Sequence, residues 1–177
     1  MNYHEKFMRL ALEEAREALD QGEFPVGCVI ASDGEVVAKG HRKNSRFFDH
    51  QQSANELDHA EITAIRNLLA ERPEIDRTRA VAYSTMEPCL MCFATLILNN
   101  IHTIVYAYED VMGGGTTVAL NRLPPLYRQK KISVIPHILR EESLALFNKF
   151  FSAPQNTYWL DSLLSQYTLE QQNKPRP

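Results

Sequence analysis

The chain has 177 residues, 44% of them hydrophobic and 23% charged, with a net charge of −3 and a pI of about 6.1. That length supports a single domain with a proper core, and the acidic balance argues against a protein whose main task is to grip nucleic acid, where a basic excess is usual. No apolar run is long enough to cross a bilayer, and the charged opening "MNYHEKFMRLALEEAREALD" does not read as a signal peptide, so a cytoplasmic protein without membrane contact is expected.

Residues 3–20 carry Phe7, Leu10, Ala11, Ala15, Ala18 and Leu19 on one stripe and predict an amphipathic helix ended by Gly22. "FPVGCVIA" (24–31) and "EVVAKG" (35–40) read as two strands, and the Asp33-Gly34 pair between them signals a hairpin. Residues 41–57 show no sustained period and read as a long loop. A helix is expected over 58–72, a strand over 79–85 and a helix over 89–100, with Pro88 at the helix start. Further strands are expected over 102–108 and 132–136, a helix over 140–151, and a last helix from Asn156 to about Asn173. Strands and helices in this order predict a mixed α/β sheet with helices on its faces.

Two of the three cysteines stand one helical turn apart in "EPCLMC" (87–92). In a reducing compartment C-x-x-C reads as metal-binding or catalytic rather than as a structural disulfide. His59-Ala60-Glu61 opens one predicted helix and Pro88-Cys89-x-x-Cys92 the next, with one strand between them, so the two helix starts can converge. One imidazole and two thiolates suit zinc, and three protein ligands leave a fourth tetrahedral position for water, the layout of a catalytic site. Helix N-termini favour the thiolate form. Glu61, close to such a metal without being needed as a ligand, can move the proton from water to a leaving amine.

Other readings compete. Cys89 and Cys92 could be buried apolar side chains, or a redox dithiol that leaves His59 and Glu61 without a role. Asp58-x-x-Glu61 has the spacing of a capping box. A structural zinc module would need a fourth ligand, and Cys28 is the remaining cysteine, although it shares a strand face with Phe24, Val26 and Ile30 and suits a core thiol.

H-x-E followed by P-C-x-x-C is the zinc deaminase signature. Together with "EFPVGCVI", "HAEITAIR", "STMEPCLMC", "IVYAYED" and "LALFNKFF", met in that order from about residue 3 to residue 151, it resembles the cytidine and deoxycytidylate deaminase superfamily. Within it the chain looks most like the tRNA-specific adenosine deaminase and guanine deaminase branch. The resemblance implies a three-layer cytidine-deaminase-like α/β fold with a central mixed five-stranded sheet and helices on both faces. It also implies one zinc per subunit on His59, Cys89 and Cys92, with Glu61 as proton shuttle, and a homodimer. Residues 1–153 are then the deaminase domain and 154–177 a helical C-terminal extension.

The resemblance says less about substrate. Members of this branch often carry an Asn two residues after the glycine ending the second strand; here that glycine is Gly40, Arg42 holds the position, and Asn44 follows two residues later. Either residue could hold the substrate, Asn44 through a shifted loop or Arg42 by pairing with a phosphate or a carbonyl-rich ring. Phe47, Phe48 and His50 could stack on a base or pack back on the domain. Glu109 and Asp110 stand near expected substrate contacts and could accept hydrogen bonds from a guanine-like ring. The cluster Arg122, Arg128, Lys130 and Lys131 reads as a solvated loop before it reads as a tRNA surface. The sequence therefore points to a hydrolase that removes an exocyclic amine from a small nucleobase or nucleoside, purine-type, with the tRNA wobble adenosine as the alternative substrate.

Overall fold

In a computed structural model that describes residues 3–45 and 55–172, the chain begins with helix α1 (Tyr3–Asp20) and a hairpin of β1 (Gly27–Ser32) and β2 (Glu35–His41). Then come α2 (Ala60–Glu71), β3 (Val81–Met86), α3 (Leu90–Leu98) and β4 (Thr103–Tyr108). The short α4 (Pro125–Arg128), β5 (Ser133–Ile135), α5 (Arg140–Phe151) and α6 (Leu163–Gln172) complete it. The hairpin turns where expected, because Asp33 and Gly34 both take positive φ, 53° and 86°, the pair of angles that matches the twist of the two strands. Phe47, Phe48 and His50 lie outside the described residues. The last helix starts at Leu163 rather than Asn156, and Trp159 and Asp161, both left-handed, stand in the irregular run before it.

The five strands form one sheet in the order β2-β1-β3-β4-β5. β1 is antiparallel to both of its neighbours, while β3, β4 and β5 run parallel. Adjacent residues of a strand face opposite ways, and the core divides accordingly. Val29, Ala31, Tyr83 and Val105 pack against Phe7, Met8, Ala11 and Leu12 of α1. Cys28, Ile30, Ala82 and Ile104 pack on the other face with Leu68 of α2 and Phe93 and Leu96 of α3. β1 is therefore buried along its whole length, which is why its sequence reads as an unbroken apolar run. α5 lies beside α1, and its Phe147 and Phe150 meet the ring of Phe24 at 5.2 and 5.3 Å. The α1 stripe is centred closer to Met8 and Leu12 than the sequence suggests, with Leu10 and Leu19 only half-buried at its margins.

One consequence of the topology positions the site. Because β1 reverses the direction of both β2 and β3, those two strands point the same way. The chain leaves both at the same end of the sheet, and α2 and α3 begin there. Among the described residues no helix is long and apolar enough to cross a membrane.

Candidate metal centre and its cavity

His59 is the N-cap of α2 and Cys89 the N-cap of α3. Ser, Thr, Asp or Asn would cap a helix better, and neither side chain here makes a capping hydrogen bond. Both turn instead towards each other. His59 Nδ1 lies 3.6 Å from Cys89 Sγ and 3.4 Å from Cys92 Sγ. A tetrahedral zinc with ordinary Zn–S and Zn–N bonds holds such atoms about 3.6 Å apart, so the donor set fits one zinc ion in both chemistry and spacing. Pro88 stands outside α3, one residue before its cap, and its carbonyl accepts from Gly115 N at 2.9 Å.

Electrostatics favour a thiolate. The hydrogen bond from Cys92 and the neighbouring imidazole hold the Cys89 thiol down to about 4, whereas Cys92, hydrogen-bonded to Cys89 and buried, is pushed up. For His59, burial pulls the pKa down, but the hydrogen bond to Cys89 and the charges of Glu61 and Cys89 outweigh it and raise it. His59 Nε2 lies 3.4 Å from Glu56 Oε2, which leaves Nδ1 for the metal; an outer carboxylate on a ligand histidine commonly fixes its tautomer this way.

Glu61, only 3% exposed, stands in the first turn of α2. It accepts a 2.9 Å hydrogen bond from Ser84 of β3. Burial raises its pKa, opposed by the positive His59. A carboxyl group so placed is poised to take and return a proton. Cys28 is fully buried in the core and is not part of the ligand cluster, which among the described residues has three members.

Above these groups opens a cavity of about 360 Å³, with His59, Glu61 and Cys89 in its lining. Its walls are largely apolar, from Phe24, Val26 and Met86, and it suits a small flat ligand with a few polar contacts. Of the remaining sequence candidates, Arg42 and Asp110 line it. Asn44 does not: its amide donates to Asp58 at 2.8 Å and its backbone N–H to Glu23 at 3.1 Å, so it ties the stretch after β2 to the residues just before β1 and α2. Glu109 faces a separate shallow hollow, where Arg140 and Tyr167 donate to it at 2.8 and 2.7 Å. Asp110 Oδ1 accepts from the N–H groups of Met112 and Gly113 at 2.9 and 2.8 Å and so shapes its own loop.

Sequence reasoning missed several residues here. Glu87, buried beside the cysteines, accepts from Asp110 N and Thr116 N, each at 3.2 Å. The glycine run lets the loop after β4 reach that carboxylate, since a Cβ on Gly114 would lie 2.5 Å from it. Tyr158, Trp159 and Leu164, from the segment after α5, complete the cavity wall. The glycine triplet was a visible signal; nothing local marked the other contacts.

Residues 1–108 match the family described as the cytidine and deoxycytidylate deaminase zinc-binding region. The chain is 31% identical over 154 residues to a tRNA-specific adenosine deaminase of Aquifex aeolicus, covering 86% of this chain and 96% of that one. It is 29% identical over 151 residues to the Bacillus subtilis enzyme of the same name, covering 85% and 90%. Among solved structures, a tRNA:A34 deaminase studied for A-to-I editing at the wobble position superposes with a TM-score of 0.67 at 30% identity, over 80% of this chain and 98% of that one. A guanine deaminase from Nitrosomonas europaea superposes with a TM-score of 0.64 over 82% and 83%; at 19% identity, that likeness concerns the fold.

Proposed function

Because the chain belongs to the cytidine and deoxycytidylate deaminase zinc-binding family, we propose that its substrate is the wobble adenosine of a tRNA anticodon loop, converted to inosine. The protein is a hydrolase of a C–N bond in a cyclic amidine, with one zinc held by His59, Cys89 and Cys92. The observation that carries the finer reading is the near end-to-end match to tRNA-specific adenosine deaminases. It outweighs the acidic net charge, which by itself favours a small free purine.

Bound at the three ligands, zinc supplies an activated water at neutral pH. Glu61 does the proton work. Its carboxylate takes a proton from the attacking water and passes it to the ring nitrogen beside the amine-bearing carbon, where it stays; the emptied carboxylate then takes the second proton from the hydroxyl now on that carbon and gives it to the departing amine. The carbon–oxygen bond forms, the carbon–nitrogen bond breaks, and ammonia leaves. Ser84 holds the carboxylate through its 2.9 Å hydrogen bond. The apolar walls exclude bulk water, which strengthens every charge interaction inside. Exposed Arg122, Arg128 and Lys131 around α4 offer charge for a phosphate backbone.

A second reading, a free purine base or nucleoside, draws support from Arg42, which lines the cavity where this branch often carries Asn. One experiment separates the two. Zinc-loaded protein is offered an anticodon stem-loop with a wobble adenosine beside adenine, guanine, cytosine and their nucleosides, and ammonia and inosine are measured. Inosine at the wobble position is the expected result. A silent stem-loop with turnover of a free base or nucleoside overturns the tRNA reading and installs the second.

A further inference from the structure

The segment between α5 and α6 contributes to the zinc-side cavity through Tyr158 and Trp159. It is fastened in place. Tyr158 donates its hydroxyl to Glu56 at 3.1 Å, its backbone N–H donates to Asn156 Oδ1 at 3.1 Å, and the Asn156 amide donates to the Tyr158 carbonyl at 3.2 Å. The Tyr158 ring packs on Phe24 at 5.3 Å. Glu56 also accepts from Arg42 Nη2 at 3.0 Å and lies 3.4 Å from the ligand His59. One carboxylate thus joins a metal ligand, a cavity arginine and the C-terminal segment.

Two features of this arrangement point to a ligand. The Trp159 backbone takes a left-handed φ of 54°, an uncommon conformation for a bulky residue, and the residue stays 42% exposed at the cavity while Glu61 within is 3% exposed. Arg42 is 2% exposed, and among the described residues its Nε and Nη1 have no hydrogen-bond partner. Buried N–H groups are seldom left without an acceptor, and these belong to a side chain that lines the same cavity.

Building on the tRNA reading, we propose that Trp159 is the stacking platform for a nucleotide adjacent to the target adenosine, and that Arg42 donates to an acceptor on the nucleotide that enters. A base whose amine reaches the zinc ligands lies deep in the cavity. An exposed ring at the mouth therefore meets what is attached to that nucleoside. In a single-stranded loop this is the next base, which is free to stack on an aromatic side chain.

Trp159 is the single tryptophan of the chain, so its fluorescence reports the contact directly. The zinc-loaded Glu61→Ala protein, which should not turn substrate over, is titrated with the anticodon stem-loop and, separately, with adenosine. The stem-loop should quench the emission and adenosine should not. In the Glu61→Ala background, Trp159→Ala should weaken stem-loop binding, read by anisotropy of labelled RNA, about 5- to 150-fold, the equivalent of one base–aromatic stack. Trp159→Phe should restore most of the affinity, while zinc content and melting temperature confirm that each variant folds. Binding without quenching, equal quenching by adenosine, or unchanged affinity in Trp159→Ala overturns the platform. If the wild-type enzyme deaminates the stem-loop and Trp159→Ala binds it normally, only this inference falls. If the stem-loop is neither bound nor deaminated, the tRNA reading falls with it.

Discussion

Gly40 lies where strand β2 passes under helix α2, opposite Cys28 in the β1 register. A Cβ there would sit 2.5 Å from Ala64 N and 2.6 Å from Ala60 O, both backbone atoms of α2 that no rotamer change can move. Relief to ordinary contact requires α2 to shift by roughly an ångström, and α2 carries His59 and Glu61. Overpacking of this kind costs about 1–3 kcal/mol, which lowers the melting temperature of a domain this size by about 2–12 °C. The larger effect should be on chemistry, because an ångström of misplacement can cost about 100-fold in rate. Gly40→Ala should therefore melt earlier, bind zinc more weakly and lose about 100-fold in kcat. Gly34→Ala is the control, since its φ of +86° strains any side chain but no atom lies within 4 Å of the added Cβ. It should lower the melting temperature by several degrees, about 2–4 °C per kcal/mol of left-handed strain, and leave zinc stoichiometry and kcat intact. Calorimetry, metal analysis and ammonia release measure all three quantities. A Gly40→Ala protein that binds zinc and turns over like the wild type would refute the idea that this close approach sets the ligand geometry.

Other outcomes follow from the same contacts. Glu61→Ala should keep one zinc per chain and lose about 100- to 10,000-fold in kcat, whereas His59→Ala should lose metal and turnover together; metal analysis beside ammonia release separates them, and an active Glu61→Ala enzyme would end the proton-shuttle assignment. Cys28→Ser should retain its zinc and lose about 1–3 kcal/mol of stability, because a hydroxyl replaces a thiol in the core; loss of zinc would make Cys28 a ligand. Burial pulls the pKa of Glu109 up, but the hydrogen bonds from Arg140 and Tyr167 outweigh it and hold it below the usual range. A carboxylate with a depressed folded pKa contributes stability above its unfolded value, about 4.3, and loses that contribution as pH falls through the folded one. The melting-temperature gap between wild type and Glu109→Gln should be wide at pH 7 and narrow below about pH 4; an equal gap at both would show that Glu109 is not stabilised as an ion there.

The sequence by itself determined the metal chemistry and most of the elements, because both depend on short-range information. H-x-E and P-C-x-x-C are spacings within one helical turn, and apolar periods of 3.6 and 2 report which face of each element is buried. Asp33-Gly34 named its own turn. The depth of the β1 core was legible in its unbroken apolar run. Substrate contacts were not legible, since they depend on which distant segments meet. Arg42 and Asn44 are two residues apart, yet only the fold could tell that one lines the cavity while the other ties a loop to Asp58. Glu109 and Asp110 are neighbours, yet of the two only Asp110 lines the zinc-side cavity, because Arg140 and Tyr167 hold the Glu109 side chain in the separate hollow. Tyr158 and Trp159 lie some hundred residues from Glu56 and His59, at a separation where no local period carries a signal. Their place at the mouth was decided by tertiary packing: Phe24, Phe150 and the Tyr158 hydroxyl, which donates to the Glu56 carboxylate, bring the segment over the zinc ligands.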